Sequence, residues 1–405
     1  FARSAPFREL CMGLSQSVPA ANEAVVAAVA GGALLLLLLR RRKPAADEPE
    51  SRAEVAALYI HPVKSCAPVQ LDAASLDRLG FVDDRRLMVV SAEPLGGNHS
   101  FVTQRQEPRL CLVRAELSAE VVRLSAPGKP LLAVPLRPPH PQSELRVRVW
   151  SDTGLRAVDL GEAAAAWLSS FLGADEEPHR RVRLVSCASS SFSRPLDARY
   201  APLALRWAWG GPQVGFADGF PLLLISTASL EALNGSLSAM AEPMPMGRFR
   251  PNIVAAGCVP FEEDTWRRIR IGDMVFRVVK GCSRCKITTT DQATGEQGSL
   301  VGADGAPEPL SALRAAGRGV GSEVYFGQNL VHEWPLPLLE RAARWLRGEP
   351  QLPVVCAGDR IEVLERGPPV WDEEAVREAE RAEARAEASS AAEEAAAVKE
   401  GARFI

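Results

Sequence analysis

The chain has 405 residues, 47% of them hydrophobic and 24% charged, and a net charge of −3. It is long enough for two domains with a large core, and it lacks the basic surplus of a nucleic-acid binder. Eight cysteines lie at 11, 66, 111, 187, 258, 282, 285 and 356, with one close pair, a pattern of reduced thiols in a cytosol-facing protein rather than of a disulfide framework.

The first feature in chain order is an uncharged apolar run, "AVVAAVAGGALLLLLL" from Ala24 to Leu39, followed at once by "RRRK". It is slightly short of the ~17–25 residues of a spanning helix, and Val18 to Ala21 can lengthen it. A cleaved secretory segment is the competing reading. Against it, the basic cluster follows the apolar run and no small-residue cleavage site comes directly after. The sequence therefore predicts one transmembrane signal anchor over 24–43, with "RRRK" and the remainder facing the cytosol. Residues 1–23 read as a targeting or flexible segment, weakly compatible with mitochondrial import, and 44–54 as a polar linker.

From Val55 the pattern changes to short strands between Gly, Pro and Asp punctuation: "VAALYIHPV", "RRLMVVSA", "LCLVRAEL", "VVRLSA", "LLAVPL" and "ELRVRVW". Gly161 to Gly173 predicts a helix with Trp167, Leu168, Phe171 and Leu172 on one face and a glycine stop. A second strand-rich block contains one clear helix at "STASLEALNGSLSAM", capped by Ser226 or Thr227. The expected fold is mixed α+β and β-rich, with two barrel-like subdomains over 55–178 and 179–366. The Ala/Glu/Arg-rich tail, 367–405, has no apolar stripe and reads as a solvated helix or disordered segment.

Chemistry-bearing residues centre on "KGCSRCKITTTD", Lys280 to Asp291. A structural zinc site needs four ligands, but the chain has no second CxxC and no His-x3–5-His spacing. A redox dithiol belongs at a helix start, whereas "KITTT" favours a strand. Lys280, Arg284 and Lys286 would favour a thiolate, and one thiolate in a positive pocket suits a soft or high-valent metal whose ligand brings other donors. The residue pattern leaves that ligand open. Polar segments at other strand ends contribute Lys64 and Ser65 ("HPVKSC"), Asp83 to Arg86 ("DDRRLMVV"), Asp218 and Gly219 ("ADGFPLLLIS"), and Arg248, Arg250 and Asn252 ("MGRFRPNIV"). Each alone reads as turn chemistry. Together they supply donors for a phosphate-bearing anionic cofactor.

In this order "YIHPVKSC", "FVTQRQEPRL", "FRPNIV", "GCSRCKITTTD", "TGE" and "YFGQ" resemble the MOSC-domain proteins, and among them the mitochondrial amidoxime-reducing components. The resemblance covers roughly Val55 to Leu364 and includes the "GEAxAxWLSSFL" helix and the anchor with its basic flank. It implies a MOSC fold with an N-terminal β-barrel-like domain, and a molybdenum cofactor ligated by the Cys285 thiolate, with Cys282 not a ligand. It further implies cofactor contacts from Lys64, Ser65, Arg85, Arg250, Asn252, Ser283 and Arg284, with Asp218 and Gln328 near the metal. The implied activity is reduction of N-hydroxylated compounds such as amidoximes, hydroxylamines and N-hydroxyguanidines. Its electrons would pass from NADH through a cytochrome reductase and a b-type cytochrome, at a mitochondrial outer membrane reached by residues 24–39.

The chain departs from the family pattern in a helical insertion at about 335–353, in its charged tail, and in Lys286, where relatives carry an apolar residue. Two alternatives accompany the leading reading. A molybdenum-cofactor sulfurase would need a pyridoxal-phosphate domain upstream, and only about 50 residues precede the strands here. A molybdenum-cofactor carrier without reductase activity shares the same ligands.

Overall fold

The computed structural model describes residues 52–369 except 119, 136–142, 190, 202–210, 238–242 and 334–351, all within the unit Ser51–Ile405. Its dominant element is a nine-stranded sheet. In spatial order the strands are Val69–Leu71, Glu54–Ile60, Ile253–Ala256, Leu222–Ser226, Glu323–His332, Met274–Arg284, Trp266–Ile271 and Ile361–Arg366, with Gly319–Val320 paired to Glu323–His332. Neighbours run antiparallel except Leu222–Ser226 and Ile253–Ala256, which are parallel.

The central strand "LLLIS" is apolar throughout because both of its faces are covered. Leu222 and Leu224 enter one core cluster with Val55, Leu58, Trp266 and Phe276. Leu223 and Ile225, pointing the other way, enter a second with Leu233, Phe249 and Phe326.

A five-stranded sheet runs in the order Leu87–Ser91, Val182–Ser186, Asp152–Asp159, Glu144–Val149, His99–Ser100. One core cluster beside it joins Val89 and Leu184 to Leu110, Val122, Leu168 and Phe171. The helix Glu162–Leu172 contributes to that cluster, burying Trp167, Leu168, Phe171 and Leu172 as expected, and it ends at Gly173 in the left-handed conformation. The helix Thr227–Ser236 is capped by Ser226, whose hydroxyl accepts the Ser229 N–H at 3.0 Å. Two three-stranded sheets complete the described structure, one of Val354–Cys356, Ala73–Asp77 and Gly80–Phe81, the other of Arg114–Leu117, Val121–Ser125 and Leu132–Pro135.

The β-rich character with few helices is as expected, but strand pairing does not follow the division at residue 178. Glu54–Ile60 pairs with Ile253–Ala256, and Val55, Leu58 and Ile60 alternate into the core of the later half. Val182–Ser186 pairs back onto Leu87–Ser91. "LCLVRAEL" is also only half strand: Pro108–Leu112 forms a 3-10 turn started by its proline, with Leu110 and Cys111 buried beneath it. No helix among the described residues is long and apolar enough to cross a membrane. The expected anchor over 24–43, almost all of the 335–353 insertion and nearly all of the tail lie outside the described residues.

Candidate functional site

Cys285 follows the end of the strand Met274–Arg284. This strand pairs with Glu323–His332 through two register shifts, at Val278/Lys280 and Gly281/Ser283. Such bulges bend a strand end and re-aim its side chains. Beyond Cys285 the expected strand is instead a 3-10 turn, Lys286–Thr289. The threonines themselves account for it: Thr288 Oγ1 donates to the Cys285 carbonyl at 2.9 Å and Thr289 Oγ1 to the Lys286 carbonyl at 2.8 Å. Local hydroxyl bonds thereby replace the ladder that β-branched residues favour.

Cys285 opens onto a cleft lined by Lys64, Ser65, Arg85, Arg105, Asp218, Arg248, Arg250, Asn252, Cys282, Ser283, Arg284 and Asn329, among others. Of the residues that the resemblance implied as metal or cofactor contacts, Gln328 alone is outside it, and the more general candidates Asp83, Asp84, Arg86, Lys280 and Lys286 do not line it either. Gln328 is fully buried and donates through Nε2 to Asp264 Oδ1 at 2.6 Å, while Asp264 also pairs with Arg318. Strand alternation puts its neighbour Asn329 on the cleft side instead.

The remaining residues divide by what their polar atoms already do. Arg284 lines the cleft, but its guanidinium donates to the Phe326 carbonyl at 2.5 and 2.8 Å and to the Phe249 carbonyl at 2.9 Å. Asn252 accepts from Arg85 Nη1 at 2.8 Å and donates to the Tyr59 carbonyl at 3.1 Å. Asp84 accepts from the same Arg85 nitrogen at 2.6 Å and from the His61 N–H at 2.7 Å. These groups hold the scaffold. The hydrogen-bonding cation beside the Cys285 sulfur is none of the flanking Lys280, Arg284 and Lys286 expected there. It is Arg105, which donates from Nη2 at 3.2 Å.

Arg105 was missed as a site residue. It lies inside the family segment "FVTQRQEPRL", but only the folded loop shows its target. Trp150, whose ring lies 4.7 Å from the Arg105 guanidinium and whose Nε1 donates to Asp218 at 3.2 Å, carried no sequence signal. Arg194 was missed as well. It is 3% exposed and its guanidinium donates to the carbonyls of Gly215, Ala217 and Asp218, holding the Asp218 turn.

Positive charge is the electrostatic theme. Lys64, 5% exposed, pairs with the half-exposed Asp218 and donates to the Phe216 carbonyl at 2.8 Å. Burial outweighs Asp218 and pulls the Lys64 ammonium down to about 8, with Arg194 and Arg85 adding to the shift. Burial and then Arg85 draw the Arg250 guanidinium down to about 10. For Asp218, burial would raise the carboxyl, but Lys64 and Arg105 hold it well below its usual value. Burial raises the Cys282 thiol despite Arg284. Burial is the larger cause for both cations and the neighbouring arginines add to it, and an anion bound in the cleft would oppose both effects.

Backbone conformation points the same way. Ser65, Arg85 and Arg250 adopt φ of 69°, 48° and 56°, a left-handed region that non-glycine residues enter at a cost of about 1–3 kcal/mol each. Such strain concentrates at ligand clamps.

A phosphate-bearing, metal-carrying cofactor fits these residues on two observations. Among the described residues, Arg248 Nε and Arg250 Nη2 are buried donors without a partner. Also, Cys285 brings a soft sulfur to the same cleft, which suits a metal whose ligand carries the other donors.

A β-rich fold with Cys285 set beside an arginine in a cation-lined cleft defines a class: the chain belongs to the MOSC-domain family, matching its "MOSC N-terminal beta barrel domain" over residues 52–175 and its "MOSC domain" over 211–362. Its relatives are mitochondrial amidoxime-reducing components. It is 36% identical to component 1 of Mus musculus over 248 residues, 60% of this chain and 66% of that one. It is 33% identical to component 1 of Homo sapiens over 298 residues, 69% and 79% of the two chains. Component 2 of Homo sapiens is 34% identical over 249 residues, 60% and 68%. The chain thus spans about two thirds to four fifths of these relatives.

Proposed function

We propose that this chain is a molybdenum-cofactor-dependent reductase of N-hydroxylated compounds. The observation carrying the reading is the Cys285 sulfur, set in the cleft beside Arg105 and among unpartnered arginine donors. A soft sulfur ligand suits molybdenum better than a hard cation, and the arginines and Lys64 suit a pterin phosphate. The relatives named for amidoxime reduction supply the substrate class.

In this reading Cys285 ligates the metal. Lys64, Ser65 and Arg250 hold the anionic end of the cofactor and Ser283 contacts it near the pterin, while Arg85 and Asn252 brace Arg250. Arg85 does so by donating to the Arg250 carbonyl at 3.2 Å. Bound there, the cofactor would supply the two-electron chemistry that removes oxygen from an N–OH group, and the protein provides binding, orientation and electrostatics. Electrons would arrive from NADH through a cytochrome reductase and a b-type cytochrome docking near the cleft. The apolar run 24–39 would anchor the chain in the mitochondrial outer membrane with the cleft facing the cytosol.

The test is metal analysis of the purified full chain and two variants. About one molybdenum per chain is expected, lost in Cys285→Ser and kept in Cys282→Ser. Zinc in its place, or equal loss in both variants, overturns the reading. NADH-driven benzamidoxime reduction, with the cytochrome and its reductase added, separates enzyme from carrier: molybdenum-loaded protein without turnover is a carrier.

A further inference from the structure

Arg105 is held from every side. Its loop is closed internally by Thr103, which donates from N and Oγ1 to Gln106 Oε1 at 3.1 and 2.7 Å. Gln104 Nε2 donates to the Ser65 carbonyl at 2.7 Å. Gln104 and Gln292 exchange amide hydrogen bonds at 3.3 and 3.1 Å, and Gln297 Nε2 donates to the Gln104 carbonyl at 3.2 Å. The loop is thereby clamped to the segment that follows Cys285. The guanidinium itself lies over Trp150, 4.7 Å away, and 3.7 Å from Asp218. One of its nitrogens reaches the Cys285 sulfur, and the other terminal nitrogen, Nη1, is buried without a partner among the described residues. A stacked, clamped guanidinium with one donor engaged and one left over is a preorganised two-point contact.

We propose that Arg105 is a positioning residue: it aims the Cys285 sulfur into the cleft and presents its remaining N–H to the oxygen of an N-hydroxylated substrate. The proposal rests on the reading of Cys285 given above. In the overall conversion the N–O bond breaks, two electrons arrive from the reductase chain with two protons, an N–H forms, and the oxygen leaves as water. The oxygen accepts hydrogen bonds throughout. A guanidinium at that place fixes it without acting as the acid, since arginine does not give up its proton in proteins. The product lacks the oxygen and so lacks the contact.

The experiment uses the full chain with Arg105→Gln and Arg105→Lys. In crystals of cofactor-free protein the Cys285 sulfur is expected to turn away from its wild-type direction in Arg105→Gln. In loaded protein, with molybdenum content unchanged, KM for benzamidoxime is expected to rise about tenfold or more, while the inhibition constant of the oxygen-free product benzamidine stays where it was. A lysine, with one compact ammonium, is not expected to restore both contacts. An unchanged sulfur direction, a KM that does not move, or a benzamidine constant that rises in parallel each overturns the proposal. Should the wild type carry no molybdenum, the reading of Cys285 falls separately, and the sulfur direction in the cofactor-free crystals still decides for or against Arg105.

Discussion

Lys64 and Asp218 form an ion pair across 154 residues of chain, with the ammonium buried and the carboxylate half in solvent. The pair lines the cleft, and it does not neutralise the site, because Arg105, Arg194 and Arg85 stand around it. Burial first, with Arg194 and Arg85 adding to it, pulls the Lys64 ammonium down to about 8. Retention of an anionic cofactor is expected to weaken between pH 7 and 9 as this charge is lost. Lys64→Arg, which stays protonated, should remove the step. Molybdenum remaining after dialysis at each pH is the measurement, and a flat profile in the wild type would count against the role.

Gln328 is expected to behave as a structural residue. Gln328→Leu takes a 2.6 Å donor from the buried Asp264, which should cost about 1–3 kcal/mol and lower the melting temperature while molybdenum content stays at the wild-type level. Metal loss matching that of Cys285→Ser would return Gln328 to the site.

Gly327 in the same motif has φ of 77°, and a Cβ there would meet Ile225 Cγ1 at 2.5 Å and the Leu224 carbonyl at 2.9 Å. Gly327→Ala combines a left-handed backbone with a clash against the central strand, and about 2–4 kcal/mol of destabilisation is expected. Urea unfolding of the variant checks it, and a midpoint within error of wild type would refute it.

Two buried histidines set an acid limit. Burial pulls His332 down to about 4, with its Nε2 bonded to the Asp77 carbonyl at 2.7 Å. His61 is lowered by burial and by Arg250 and Arg85. Both are neutral in the fold, and the unfolded chain takes up protons near 6.5, where the folded one does not. Stability is therefore intact above pH 6.5 and falls as the pH drops towards 4, by up to about 3 kcal/mol from His332. The urea midpoint measured from pH 7 to 4.5 should decline accordingly, with a shallower slope in His332→Gln.

That Cys285, Lys64, Ser65 and Arg250 line the cleft was legible because each lies near a strand end beside a proline, a turn or a second cysteine, places where side chains face a rim. Side-chain direction was not legible. Arg284 is adjacent to the thiol, yet it spends its donors on carbonyls 35 and 42 residues away. Gln328 and Asn329 differ by one step of strand alternation, which no motif resolves without the register. Arg105 comes to the cleft only when Trp150, Asp218 and Cys285 have gathered around it. The fold class was readable from punctuation and alternation, while the partner of the first strand was not, since pairing at long range leaves no local mark.

That first strand carries a consequence for how the chain comes into being. Tyr59 offers its carbonyl to Asn252, 193 residues later, so the large sheet gains its outer two strands only after most of the protein has left the ribosome. Until then "VAALYI" waits as an unpaired apolar ribbon that needs shielding from its neighbours. A fragment cut to the later domain match alone, 211–362, would have the converse defect: the Ile253–Ala256 strand would become a raw border, open to pairing with other copies. Any shortened version intended for assay should therefore begin before Glu54.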